Sequence, residues 1–225
     1  MASSIGFTFI DPVLTKHVQQ FGVSPLISSL LFAVVPGIYA LTSPLWGWVS
    51  DRYFQQRSVL LLIIGNFLNA VAYLLIGPTD LGHFLPNELW LVVTGLVMYG
   101  LVVSVAYVPA VKCSIQGARE LGFPESLSTY GYVNGLQQTS FHLGGFIGPT
   151  IGGALADSVG FNTGSTIVAG IFLLMSIICT IQATIRYILQ LRKSPKINHE
   201  DPANQTSLSS LPPEKLEKTR LLGYY

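Results

Sequence analysis

Long uncharged apolar runs, broken by short polar or charged turns, fill the chain as far as about Ile185. Five of these runs reach the roughly 20 apolar residues that a bilayer crossing requires. They lie at about Ser24–Ser50, Ser58–Gly77, Leu89–Val111, Tyr132–Ala156 and Phe161–Ile185, and each is free of charge through its centre. A shorter run, Ile5 to about Val18, predicts part of a further helix whose upstream half is expected to be missing. Met1–Ile10 has no basic flank and does not read as a signal peptide. Pro36-Gly37 and Pro44 fall inside the first full span and predict kinks there. The pattern is that of an all-α membrane protein with five complete transmembrane helices and a partial N-terminal one.

Composition agrees with this pattern. Half of the 225 residues are hydrophobic, only 10% are charged, and the mean hydropathy is +0.52. Soluble domains carry roughly 25% charged residues, so a water-facing surface around one core is excluded. A net charge of +1 gives no bulk attraction to nucleic acid. Cys113 and Cys179 lie in or beside apolar segments and read as small packing residues. No CxxC or HxxxH spacing offers a zinc site. No nucleophile–base pair or metal cluster marks the helix ends, which argues against a membrane-embedded enzyme.

The basic residues predict orientation. Arg52 and Arg57 follow the first full span, Lys112 and Arg119 follow the third, and Arg186 onward follow the fifth; only Lys16 lies on the other side. The positive-inside rule places these loops and the C-terminus in the cytoplasm. Residues 1–190 are expected to form the helical bundle. Residues 191–225, rich in Pro, Ser, Glu and Lys, are expected to form a disordered cytoplasmic tail. Asn204-Gln205-Thr206 matches a glycosylation pattern that would be inert on that face. Glu217, four residues before Leu221-Leu222, matches an acidic dileucine signal that sorting adaptors would read.

One motif carries more information than any single span. In Gly144-Gly145-Phe146-Ile147-Gly148-Pro149-Thr150-Ile151-Gly152-Gly153, glycines recur every four residues. On a helix Gly144, Gly148 and Gly152 share a stripe that lets a neighbour approach closely, and Pro149 can bend the helix within the bilayer. Gly47-Trp48-Val49-Ser50-Asp51-Arg52 ends the first full span. Gly47 would permit close approach there, and Asp51 would accept N–H groups at a neighbouring helix end or pair with Arg52 or Arg57.

Polar side chains inside the spans are the candidate chemistry. Asp11-Pro12 follows the apolar run Phe7–Ile10. A carboxylate at membrane depth costs about 2.5–3.5 kcal/mol on insertion scales. Two readings stay open: Asp11 caps a helix that restarts at Pro12, or it faces an aqueous cavity and binds a proton or a cationic substrate. Gln138 and His142, four apart, share a face well separated from Gly144 at about 100° per residue. His142 either titrates near neutral pH or stays neutral between helices. Ser104 and Tyr107 are three apart before Pro109, and Tyr107 would supply an aromatic wall and a hydroxyl. Asn66 and Asn69 are expected to hydrogen-bond between helices.

Taken together, these features resemble the C-terminal half of the major facilitator superfamily. Gly47–Arg52 resembles the loop signature after the second helix of each half, and Gly144–Gly153 resembles the GxxxGPxxGG antiporter signature. Gly6–Pro12, Ser43–Gly47, Leu127–Gly131 and Gly148–Gly153 resemble the vesicular amine transporters, especially the vesicular polyamine branch. The resemblance implies proton-coupled antiport by alternating access, loading small organic cations into vesicles, with Asp11 in the cation and proton pathway. Monoamine carriers have intramembrane acids where this chain has Ser104 and Gln138, which leaves polyamines or another cation as the expected substrate. A complete member has twelve spans in two halves. This chain is therefore expected to need a missing N-terminal half as its partner in the bilayer. The rival expectation is a truncated, non-transporting subunit that pairs with or modulates a full-length carrier.

Overall fold

A computed structural model describes residues 1–54, 58–77 and 88–193. They form six helices: α1 Ala2–Gln19, α2 Pro25–Tyr53, α3 Ser58–Ile76, α4 Leu89–Glu120, α5 Leu127–Val159 and α6 Phe161–Lys193. The chain divides into two compact units, Met1–Thr180 and Ile181–Tyr225. The first holds α1–α5 and most of α6. Within the second only the last turns of α6 are described, so the expected tail, Asn204–Thr206 and the Glu217/Leu221/Leu222 signal lie outside the described residues.

By length and composition, four helices can cross a bilayer: α2, α3, α4 and α6 as far as Leu189. The expectation of five complete spans plus a partial one is not established in that form. α5 has 33 residues, but Asn134, Gln137, Gln138, Thr139, Ser140 and His142 interrupt its apolar run. α1 has 18 residues and carries Asp11 and Lys16.

The helices outrun the apolar stretches. α4 does not stop at Val111 but continues through Lys112 and Arg119 to Glu120. Its 32 residues span about 48 Å, longer than the ~30 Å hydrocarbon core. Lys112 and Arg119 therefore stand on a helix and not in a loop, because nothing between them breaks one. The stop comes at Gly122 (φ 87°), whose N–H bonds to Arg119 O at 2.9 Å while Phe123 N–H bonds to Ala118 O at 3.1 Å. Ser24 and Ser126 start α2 and α5, their hydroxyls accepting from the N–H of Ile27 (3.4 Å) and Thr129 (3.3 Å). Pro36 and Pro44 sit within a continuous α2, and Pro149 within a continuous α5.

Small residues set the packing. α3 and α4 run antiparallel, with Gly65 against Ala106 and Gly95 against Ile76. α2 runs parallel to α4, with Gly100 against Val35 and Ile38 and with Thr42 beside Ser104. α1 lies parallel to α5. The Ser4 hydroxyl donates to Phe141 O, and further along Phe9 O stands 2.9 Å from where a Cβ on Gly152 would be. The core where α1, α3, α4 and α6 meet is aromatic: Phe9, Tyr73, Tyr99 and Phe172 are all fully buried. Large apolar side chains also point outward, including Leu41 and Phe146, each 77% exposed. Such faces suit lipid or another helical body and not water.

Candidate functional site

α1 runs through Asp11 and Pro12 without a break. The capping reading of Asp11 is thereby corrected: the residue sits mid-helix, where there is no free helix start to cap. It opens into a cavity of about 110 Å³ between α1, α2 and α4. Phe7, Ile10, Leu14, Leu31, Phe32, Val35, Pro36 and Leu96 line the rest of it, so Asp11 is the one charged group of an otherwise apolar wall. A lone carboxylate so placed suits a proton or a cationic group with an apolar body.

Tyr107, Gln138 and His142 form a separate polar station. The Tyr107 hydroxyl donates to Gln138 Oε1 at 3.0 Å, joining α4 to α5. Tyr39 of α2 meets the Tyr107 ring edge-on at 6.5 Å, and Phe141 of α5 meets it at 5.5 Å. His142 is exposed, with its ring 6.0 Å from that of Phe141. Ser104 does not join this group. It is fully buried and turned to α2, its hydroxyl 3.4 Å from that of Thr42.

The two stations lie at different depths. Ser4 and Phe141 are level, since they share a hydrogen bond. Asp11 lies seven residues beyond Ser4, and Gln138 three residues before Phe141 on the parallel helix. At about 1.5 Å per residue, Asp11 and Gln138 are about 15 Å apart along the bundle.

The glycine motif packs α5 on α1. Gly144, Gly148 and Gly152 are buried. A Cβ at Gly144 would fall 2.8 Å from Met1 O, one at Gly148 would run into the Thr8 hydroxyl, and one at Gly152 would fall 2.9 Å from Phe9 O. Gly153 is not part of this contact, because a Cβ there meets nothing within 4 Å. The close approach expected at Gly47 is likewise corrected: the space beside it is open. Asp51 pairs neither with Arg52 nor with a helix end. It forms an ion pair with Lys112 of α4, whose ammonium also donates to Ser50 Oγ at 3.2 Å. Arg57 lies outside the described residues. Asn66 does not reach another helix but donates to Leu62 O on its own at 2.7 Å, and the buried Asn69 amide has no hydrogen-bond partner among the described residues.

Sequence reasoning missed Tyr39, the α1 residues Ser4 and Thr8 that meet the glycine stripe, and Lys112 as the partner of Asp51. Only Lys112 left a signal, a lone cation at the end of an apolar run.

Comparison with known proteins places the sequence in a family. The Major Facilitator Superfamily model matches residues 1–222. The human MFS-type transporter SLC18B1 is 37% identical over 171 residues, which is 76% of this chain and 37% of that protein. Its mouse counterpart is 36% identical over 156 residues, covering 69% of this chain and 34% of the relative. Multidrug resistance protein MdtG of Serratia proteamaculans is 27% identical over 183 residues, covering 74% and 38%. The chain thus spans little more than a third of the length of these relatives. No solved structure matches it.

Proposed function

Since the chain belongs to the major facilitator superfamily, a family of transporters, and is a multi-pass membrane protein, we propose that it forms one lobe of a proton-coupled antiporter for small organic cations. Polyamines fit best. The observation that carries this reading is Asp11, an exposed carboxylate without a salt-bridge partner among the described residues, at the wall of an otherwise apolar cavity. A protein that must bind a proton and a cation in turn needs one anionic group that each can neutralise. A fixed cation beside Asp11 would hold it ionised and defeat the exchange. By the resemblance to the vesicular amine transporters, Ser104 and Gln138 would take the places of intramembrane acids in monoamine carriers, which favours an extended cation over a catecholamine. Tyr107, Gln138 and His142 would line the route at a second depth. The likeness to SLC18B1 supports this reading, and the likeness to a multidrug resistance protein supports organic substrates more broadly.

Alternating access then comes from α5 moving on α1 across the glycine contact. The basic residues near the ends of α2, α4 and α6 support a cytoplasmic C-terminus, and the resemblance to the vesicular amine transporters supports a vesicle membrane as the setting. The tail signal would be read there by sorting adaptors. The decisive test is uptake into proteoliposomes by a protein that carries both this lobe and its complement. Asp11→Asn should abolish uptake driven by a pH gradient, and unchanged uptake would remove Asp11 from the mechanism.

A second reading is favoured by the exposed apolar faces of α2 and α5. The chain would associate with a complete carrier and modulate it. Co-purification with that carrier, with no uptake by the chain alone, would support this reading.

A further inference from the structure

α1 is held from outside just before the place where its own hydrogen-bond ladder is interrupted. Pro12 has no N–H, so the Thr8 carbonyl lacks its usual i+4 donor. One turn earlier, two phenols from other helices grip the backbone. The Tyr73 hydroxyl of α3 donates to Gly6 O, and the Tyr99 hydroxyl of α4 donates to Ser3 O at 3.4 Å. Both side chains are fully buried. Their rings meet edge-on at 5.0 Å, and Phe172 of α6 packs on both, at 5.6 and 6.3 Å.

Gly6 makes this grip possible. A Cβ there would fall 2.6 Å from the Phe172 ring and 2.9 Å from the Tyr99 hydroxyl. Only a glycine lets the α1 backbone come that close. The same elements reach the Asp11 cavity. Leu96, one turn from Tyr99 on α4, lines it, and Asp11 stands five residues beyond Gly6, about 7.5 Å along α1.

We infer that Tyr73 and Tyr99 are positioning residues for Asp11: their hydroxyls fix the axial register of α1 and so the depth at which Asp11 enters its cavity. The glycine stripe itself opposes sliding poorly, and the α1–α5 hydrogen bond from the Ser4 hydroxyl to Phe141 O ties α1 to a helix that lines no part of the Asp11 cavity. Buried phenols can fix the register. A hydroxyl in an apolar core needs an acceptor, and here each takes a main-chain carbonyl of α1. Sliding α1 by one residue pulls both carbonyls away together. The inference rests on reading Asp11 as the proton- and cation-handling carboxylate.

The test uses the purified 225-residue chain in detergent micelles. Dicyclohexylcarbodiimide attacks protonated carboxyls in apolar surroundings, and mass spectrometry of the peptides gives a rate for each acid. Tyr73→Phe and Tyr99→Phe keep the ring and lose only the hydroxyl. Each should change the labelling rate of Asp11 by about threefold or more, equivalent to moving its half-labelling pH by about half a unit. Asp157 on α5 should label at an unchanged rate, as should Asp11 in Tyr53→Phe, an exposed control. A purely structural role would alter all the acids together or none. Unchanged Asp11 labelling in the folded variants would overturn the positioning role and leave the reading of Asp11 intact. If Tyr73→Phe fails to fold, Tyr99→Phe, with its longer bond, carries the test. No labelling of Asp11 in the unsubstituted chain would remove that reading, and this inference with it.

Discussion

Tyr107 and Gln138 are joined across α4 and α5 by a 3.0 Å hydrogen bond from the phenol to the amide oxygen. Gln138 is exposed and Tyr107 half-buried. The bond is therefore open to competition from a ligand. A cation with N–H donors would compete for the Gln138 oxygen beside the rings of Tyr39, Tyr107 and Phe141, whose faces, not edges, attract positive charge.

This arrangement predicts modest stability effects. Tyr107→Phe should cost no more than about 1 kcal/mol of stability, because the freed Gln138 amide faces outward and is not stranded. Gln138→Ala should behave alike. A double-mutant cycle in detergent should show coupling between the two below about 1.5 kcal/mol. If Tyr107→Phe plus Gln138→Ala costs the sum of the two single changes, the bond contributes nothing.

Three glycine substitutions separate packing from coincidence. Gly148→Ala drives a methyl into the Thr8 hydroxyl and close to Ile5 O, 3.0 Å from the added carbon. It should lower thermal stability by about 1–3 kcal/mol, the usual range for an overpacked contact. Gly153→Ala and Gly47→Ala place the same methyl in open space. On a helix they should be neutral or slightly stabilising, since alanine is the better helix former by up to about 1 kcal/mol. Equal losses at all three positions would mean that the α1–α5 contact is not close.

Periodicity governs what is legible in the sequence alone. The four-residue spacing of Gly144, Gly148 and Gly152 defines a stripe on any helix, and that stripe is buried against α1. The separation of this stripe from Gln138 and His142 follows from the same geometry, and both polar residues are exposed. Partners are a different matter, because they depend on which helices become neighbours. Nothing local shows that Thr8 would sit under Gly148, or that Asp51 would find Lys112 sixty-one positions away. Gly47 misleads for the same reason: a glycine permits close approach but does not supply the neighbour. Asp11-Pro12 is ambiguous as a sequence because the rules for proline describe an isolated helix. In the folded chain α1 stays helical through Pro12 within a bundle where Tyr73 and Tyr99 grip its backbone.

The Asp51–Lys112 pair ties the end of α2 to α4. Asp51 is largely exposed and Lys112 about one-third so, with side-chain exposures of 68% and 31%. Such a pair is worth less than about 1 kcal/mol and weakens with salt. Asp51→Asn should therefore lower stability slightly at low ionic strength and negligibly at high. Exchanging the charges, Asp51→Lys with Lys112→Asp, should recover most of the loss. A deficit that persists in the exchanged protein at low salt would show that Ser50, the other acceptor of the Lys112 ammonium, matters more than the ion pair.

Orientation offers the sharpest test of the whole arrangement, because the two ends of the bundle carry different chemistry. At one end Lys16 of α1 meets Asp157 of α5 at 3.5 Å, both exposed. At the other, Arg119 of α4 holds Glu125 at 3.1 Å and the Tyr130 hydroxyl at 3.1 Å. α1 and α5 are parallel, so if α5 passes through the bilayer these groups emerge on its opposite faces. With Cys113 and Cys179 replaced by serine, single cysteines at Lys16 and Arg119 can be probed in sealed vesicles with an impermeant maleimide. The cysteine at 119 should label from the cytoplasmic side, with the one at 16 protected until the vesicles are opened. The reverse pattern would leave the fold intact but invert the orientation proposed for it. Labelling of both from one side would contradict the parallel passage of α1 and α5 through the bilayer, and with it the placing of Asp11 at membrane depth.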